Sequence, residues 1–294
     1  MTFEAKEIIS EVFKCSAANI RQSKNLKYGM TNDSVVFSVK GTPGHYILRV
    51  PGAGTDMLIS RENEYEVYQK VLPLGICDDV VFICKDTGVK ISRYWENSRV
   101  CDKHNPNDVK ASMEVLRSFH SLGLTVPHEF CLFERIQYYE SLLWGRPSRY
   151  SDYKTTKARI FELKNHLDDM PKHRILTHID AVPSNFVFLP GGEIHLIDWE
   201  YAAMQDPHID IAMFAVYSMY DKKDTDSLID MYFLDQTKPQ ERKKIYAYVA
   251  ICGLLWSNWC EYKAVHGVEF GEYALNQYRF AKEYYDFFTE FQSS

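Results

Sequence analysis

The chain has 294 residues, 46% apolar and 25% charged, with a formal net charge of −6. That is the composition of an ordinary soluble protein of one or two domains, and its acidic balance argues against a general nucleic-acid binder. Seven cysteines, an odd number with no C-x-x-C pair, argue against a metal or redox motif and leave reduced thiols in a cytoplasmic protein as the plain expectation.

The charged start, with Glu4, Lys6, Glu7 and Glu11, does not read as a signal peptide. Phe3, Ile8, Ile9, Val12 and Phe13 mark one face of a short helix. Strands at Val35–Val39 and His45–Val50 flank a turn over Gly41–Gly44. Before them, Tyr28-Gly29-Met30-Thr31-Asn32 forms a small polar tip. In a nucleotide kinase such a tip lies over the phosphates and offers backbone N–H groups. Gly29, Met30, Thr31 and Asn32 are therefore candidate ATP contacts, although an ordinary hairpin tip has the same look. No G-x-x-x-x-G-K-[ST] run occurs, which excludes a P-loop.

Arg49 sits among apolar strand residues and needs a partner or a ligand. Ser60 is placed to cap a helix that carries Glu64 in its first turns. Arg49 and Glu64 then resemble the Lys–Glu pair that holds a phosphate-binding cation in protein kinases. The alternative is two unrelated surface charges. Val80–Cys84 and Val89–Tyr94 form a hairpin around Asp86-Thr87-Gly88, completing a roughly five-stranded antiparallel sheet. Ser92 to Trp95 is expected to be the hinge, with Ser92 and Tyr94 beside the adenine.

Beyond this point the pattern turns helical. Asn107 is expected to cap a helix with Val109, Met113, Leu116 and Phe119 on one face, ending near Gly123. Asp152–Leu167 reads as another helix. A third runs from Pro239 to Gly267; its apolar stretch Ile245–Trp256 is too short to span a bilayer, so no membrane insertion is expected.

The chemistry is concentrated in His178-Ile179-Asp180-Ala181-Val182-Pro183-Ser184-Asn185 and Leu196-Ile197-Asp198-Trp199-Glu200-Tyr201. Asp180 precedes Asn185 by five residues, and Asp198 follows thirteen later. Phosphoryl transfer uses an Asp to orient the attacking hydroxyl, and an Asn and a second Asp to hold magnesium on the nucleotide phosphates. Asp180 is the candidate catalytic residue, and Asn185 and Asp198 are the candidate Mg²⁺ ligands, oxygen donors for a hard ion. The hairpin between them, around Pro190-Gly191-Gly192, is expected to return Asp198 towards Asn185. His178 and Asp210 read as structural braces of the loop.

These motifs resemble those of the choline/ethanolamine kinase and aminoglycoside phosphotransferase superfamily, and within it the bacterial type of choline kinase. Tyr28–Asn32 resembles the family's nucleotide loop, with one glycine where relatives often have two. Arg49 stands where choline kinases often carry Arg, and Arg61-x-x-Glu64 matches the family's helix. His178–Asn185, Ile197–Ala202, Asp206-Pro207 and Asp210 continue the likeness. The ending Leu255-Trp256-Ser257-Asn258-Trp259, Tyr262-Lys263, Gly267–Gly271 and Tyr273 looks like that of choline kinases and unlike that of general antibiotic kinases.

The resemblance implies an α+β, bilobal protein-kinase-like fold. A small antiparallel-sheet N-lobe at about residues 1–92 would bind nucleotide, and a larger, mainly helical C-lobe would span 93–294. It implies ATP- and Mg²⁺-dependent phosphorylation of choline or a similar small amino alcohol. A quaternary ammonium donates no conventional hydrogen bond, so aromatic faces must hold it. Trp256 and Trp259, at i and i+3, share a helix face. With Tyr273, and with Trp199, Glu200, Tyr201 and Tyr217 after the metal motif, they form the expected substrate set. Asp206, Glu200 and Glu261 are candidate anions, and Glu200 reads alternatively as a group behind the magnesium ligands. Eukaryotic members carry a Glu about seven residues after the position of Asp210, where this chain has Tyr217, so the acid of the pocket is left open. Kinases for ethanolamine, thiamine or aminoglycosides are the near alternatives, and a catalytically silent kinase-fold binding protein is the distant one. A protein kinase is disfavoured because no activation-loop and A-P-E segment follows Asp198.

Overall fold

The computed structural model describes residues 3–26, 32–52 and 54–291. The candidates Gly29, Met30 and Thr31 lie outside the described residues. Two compact units emerge: Met1–Val100 with Val187–Tyr201, and Cys101–Phe186 with Ala202–Ser294.

The first unit opens with α1 (Phe3–Phe13), followed by β1 (Ile20–Leu26), β2 (Asn32–Val39) and β3 (His45–Pro51). Then come α2 (Arg61–Val71), β4 (Val80–Ile83), β5 (Lys90–Tyr94) and β6 (Arg99–Val100). The expected five-stranded sheet is present, in the order β1-β2-β3-β5-β4, with antiparallel neighbours. Strand alternation sends Phe37, Val39, Tyr46, Leu48 and Ile91 into one core, where Ile9 of α1 joins them. Phe13 packs edge-on against Tyr46 at 4.7 Å. Ser60 caps α2 by accepting from the Asn63 N–H at 3.3 Å. The buried side of α2 carries Arg61 and Glu64 as well as Val67, Tyr68 and Val71. The later part of this unit adds most of β8 (Phe186–Phe188) and β9 (Ile194–Leu196), which form a small sheet with β6. The Leu196 N–H bonds to Ile76 O at 3.0 Å, so the chain leading to Asp198 is fixed to the segment before β4.

One expectation here is corrected. Ser92 lies inside β5, opposite Ile47 of β3 and Val80 of β4. A residue flanked by strands on both sides has no open backbone edge to offer an adenine. The strand continues to Tyr94, which pairs with His45 and whose hydroxyl accepts from Lys24 Nζ at 2.7 Å.

The second unit holds α3 (Pro106–Ser121), α4 (Leu132–Ser141), α5 (Tyr153–Asp168), β7 (Ile175–Thr177) and β10 (Ala203–Gln205). It continues with α6 (His208–Ser218), α7 (Lys222–Phe233), α8 (Pro239–Val265) and α9 (Glu272–Glu290). The cap of α3 is Asn105, not Asn107. Asn105 accepts from the Asn107 N–H at 3.1 Å, and Pro106, which needs no hydrogen bond for its nitrogen, takes the first helical position. Helix α8 is the centre of the unit: it is buried from Lys244 to Lys263 and packs against α4, α5, α6 and α9. Such a helix is apolar around most of its circumference, because it has neighbours on every side. Gly253 lets α9 approach closely, since a Cβ there would lie 2.6 Å from Gln277 O and 2.7 Å from the Ala281 nitrogen. Among the described residues, no helix is long and apolar enough to cross a membrane.

Candidate active site

The first unit gathers a buried charge cluster. Arg49 Nη2 lies 2.6 Å from Glu64 Oε1, while its Nη1 lies 3.2 Å from Asp198 Oδ1 and 3.4 Å from Glu200 Oε2. Arg49 Nη2 also donates to Gly88 O at 3.0 Å. Burial alone would make the Arg49 guanidinium easier to deprotonate, but Glu64, Glu200 and Asp198 more than offset it and hold the group charged. Arg61 completes the cluster. Its Nη1 lies 3.3 Å from Glu64 Oε2 and 3.4 Å from Glu200 Oε2, and its Nη2 donates to Thr55 Oγ1 at 2.9 Å.

Of the two readings of Glu200, the acceptor one is corrected: the Glu200 carboxylate lies in the cluster with Asp198, engaged by the two arginines and by Asn32 Nδ2 at 2.9 Å. Burial first, and the Asp198 carboxylate second, push its carboxyl up to about 7. Asn32 thus ties the start of β2 to this cluster. Trp199 is corrected as well. It is fully buried and its Nε1–H donates to Leu196 O at 2.7 Å, so it shows no face to a ligand. Tyr201 is likewise buried.

Glu64, Asp198 and Glu200 can bring carboxylate oxygens within 4.8 Å of one another, a donor set suited to a hard divalent cation. Asp198 is the most open of the three, with its side chain 30% exposed. Its φ of +67° is in the left-handed region that non-glycine residues seldom occupy, which turns the chain sharply after Ile197.

The second unit holds the loop with Asp180. Asp210, in the first turn of α6 and fully buried, accepts the His178 N–H at 2.9 Å and the Ile179 N–H at 2.7 Å. It also bonds His120 Nε2 at 2.9 Å, and His120 Nδ1 reaches the Tyr232 hydroxyl at 2.8 Å. The sequence reading missed His120. Ile179 has a φ of +67°, a costly conformation for a β-branched residue, and Asp210 clamps it there. The side chain of His178 is buried beneath the loop. Asn185 Nδ2 donates to Asp180 O at 2.9 Å and Asp180 Oδ2 at 3.3 Å, which directs the amide oxygen elsewhere.

A run of rings leads towards Asp180. Trp256 and Trp259 meet edge to face at 5.9 Å, Trp259 and Phe270 lie 5.1 Å apart, and Phe270 and Tyr273 6.1 Å apart. Tyr273 meets Tyr217 at 5.9 Å. Burial, then the nearby Asp180 carboxylate, pushes the Tyr217 hydroxyl up, and a bond with Ser184 partly opposes this. Trp256 and Trp259 are both buried; the Trp256 Nε1–H is directed at Met213 Sδ at 2.7 Å, and Lys263 Nζ lies over the Trp259 ring at 5.8 Å. Phe270, also missed, is partly exposed, as are Tyr273, Tyr217 and Asp180. The other two candidate anions are engaged elsewhere. Asp206 pairs with Lys244 Nζ at 2.9 Å, and Glu261 Oε1 accepts from the Arg149 N–H at 2.7 Å and Ser148 Oγ at 3.1 Å.

Residues 23–251 match the family model of choline/ethanolamine kinase. Protein LicA of Haemophilus influenzae is 28% identical over 264 residues, covering 85% of this chain and 76% of the relative. Ethanolamine kinase 2 of Mus musculus is 24% identical over 294 residues, covering 87% of this chain and 75% of the relative. Among solved structures, choline kinase LicA from Streptococcus pneumoniae superposes with a TM-score of 0.80 at 28% identity, covering 96% of this chain and 99% of that one. The ADP-bound aminoglycoside phosphotransferase APH(2'')-Ib, at 16% identity and a TM-score of 0.63 over 98% and 99% of the two chains, shares the fold. The expected kinase-like α+β fold is thus the fold of this chain.

Proposed function

The chain belongs to the choline/ethanolamine kinase family, and from that premise we propose that it transfers the terminal phosphoryl group of ATP to the hydroxyl of choline, giving phosphocholine. The observation that carries the choline reading is the run of partly exposed rings Phe270, Tyr273 and Tyr217 approaching Asp180, backed by the buried Trp259. Aromatic faces bind a trimethylammonium group by cation–π attraction of roughly 0.5–2 kcal/mol each. An ethanolamine ammonium instead requires hydrogen-bond acceptors, and Asp206 and the Oε1 oxygen of Glu261 are engaged by other partners.

Asp180 takes the role of orienting the hydroxyl and accepting its proton as the oxygen–phosphorus bond forms and the bond to ADP breaks. Asn185 and Asp198 are each assigned to magnesium, which when bound neutralises charge on the phosphates. Arg49, held by Glu64, faces the phosphates. Gly29–Asn32 and Tyr94 remain assigned to the nucleotide, with the peptide groups just past β5 taking the adenine-reading role first given to Ser92. Asp210 holds the loop, and His178 fills the space beneath it. The protein is proposed to act in the cytoplasm.

Replacing Asp180 by Ala tests the assignment. Phosphocholine formation should fall by about 10²- to 10⁴-fold, the range for loss of a general base, while MgATP still binds in a calorimetric titration. Unchanged turnover removes Asp180 from the mechanism.

A further inference from the structure

Arg49 and Arg61 both contact both Glu64 and Glu200, which makes a closed ring of four buried charges. All four residues are at least 93% buried. Asp198 adds a third carboxylate against Arg49. With both arginines, the cluster sets two guanidinium groups against three carboxylates. Without Arg61 it would carry one against three, and the surviving guanidinium would be fully occupied by carboxylates.

Arg61 is also held from its other side. Thr55 Oγ1 accepts from its Nη2 at 2.9 Å and itself donates to Gly52 O at 2.7 Å. Its aliphatic stem lies over Gly88, where a Cβ would sit 2.3 Å from Arg61 Cδ and 2.6 Å from Nε. The same Gly88 presents its carbonyl to Arg49. One turn between β4 and β5 therefore positions both guanidinium groups.

We propose that Arg61 is a second positioning cation of the nucleotide-phosphate site. It shares the charge of Glu64 and Glu200, which lessens the negative charge around Arg49 and fixes the orientation of the Arg49 guanidinium for a polyphosphate. The role rests on the ATP-dependent reading above. Arg61 acts through Arg49 and Glu200, and Gly88 is glycine because the Arg61 stem crosses it.

The test measures MgATP and MgADP dissociation constants by calorimetry, without turnover, alongside KM for ATP and for choline. Arg61→Gln should weaken MgATP by about tenfold or more, the effect of losing one charge contact of about 1.4 kcal/mol. Arg61→Lys should recover part of this loss, and the choline KM should move less than about twofold. A purely structural role would move both substrates together. Gly88→Ala supplies a variant that keeps both charges. It should weaken MgATP in the parent chain yet change it little in an Arg61→Ala background, because the stem it would strike is gone. The strain of alanine at a φ of +69° is common to both backgrounds and cancels.

MgATP binding by folded Arg61→Gln within twofold of the parent overturns the proposal. So does an equal Gly88→Ala effect in both backgrounds. A parent chain that binds no nucleotide overturns the function reading and this role with it. A parent that binds MgATP but leaves choline unphosphorylated overturns the choline reading alone, and the binding data still decide the role of Arg61.

Discussion

Replacing Asp210 by Asn removes one of the two acceptor oxygens that fix the loop carrying Asp180. In the parent chain, Oδ2 accepts from the His178 N–H and His120, while Oδ1 accepts from the Ile179 N–H at 2.7 Å. The best placement for asparagine keeps its oxygen on the first two donors. Its NH₂ then meets the Ile179 N–H, donor against donor, where no water can intervene because Asp210 is fully buried. A hydrogen bond to a charged group contributes about 1.5–3 kcal/mol, and an unsatisfied buried N–H costs about 1–3 kcal/mol. The two overlap, so a loss of about 3 kcal/mol in unfolding free energy is expected. The Ile179 backbone, held at a φ of +67°, stores about 1–2 kcal/mol of strain that drives it away once the clamp is gone. Asp180 is the next residue. A displacement of about 1 Å there costs about 10²-fold in kcat. The assays are urea denaturation and steady-state ADP release with choline. An Asn variant with parental stability and kcat would refute the clamp.

Three further outcomes follow from particular contacts. Tyr273→Leu keeps an apolar side chain but removes a π face; the choline KM should rise about 2- to 30-fold, the equivalent of roughly 0.5–2 kcal/mol, with the ATP KM unchanged in steady-state kinetics. Gly253→Ala forces a Cβ against the backbone of α9 at 2.6 Å and should lower unfolding free energy by about 2 kcal/mol in urea titration, as overpacking does. His208 is buried, and that burial drives its pKa down to about 4, against the smaller opposing pull of Asp206 and with Lys244, His120 and His173 adding to the depression. The unfolded chain protonates below about 6.5, so this stability is present above that pH and is lost as pH falls towards 4. Between pH 7 and 5 the parent should lose about 2 kcal/mol more than His208→Gln in urea titrations at the two pH values; equal losses would show that His208 is not the titrating group.

How far these features can be read in the sequence depends on how local their causes are. Four of the five strands announce themselves by their apolar runs, and α8 by Pro239 at its start and Gly267 past its end, whereas β1 is polar and exposed along most of its length and has no alternation to mark it. The cap of α3 was misplaced by two residues although Pro106 marks a first helical position. The strand ending at Tyr94 is legible, but a hinge beginning at Ser92 overlaps it, and only the pairing of Ser92 with both β3 and β4 decides between the two. Arg61 is one helical turn from Glu64, a spacing that signals contact, but its partner Glu200 is 139 residues away. Only the folded sheet and the turn at Gly88 bring the two together. Glu200 and Trp199 are candidates for the acceptor by their place beside Asp198, yet the sharp turn at Asp198, with its φ of +67°, and the bonds each side chain makes, not adjacency, decide where they lie. Phe270 stood in a quoted run of the sequence without a role, since a loop aromatic declares its partner only when Trp259 is seen against it at 5.1 Å.

A cation cage beside a catalytic aspartate is tested by one ratio: kcat/KM of the purified chain for choline over that for ethanolamine, with saturating MgATP. An aromatic cage predicts choline favoured by at least about tenfold, the difference of one or two cation–π contacts. Equal or greater efficiency with ethanolamine would contradict the cage and place a hydrogen-bonding acid in its stead.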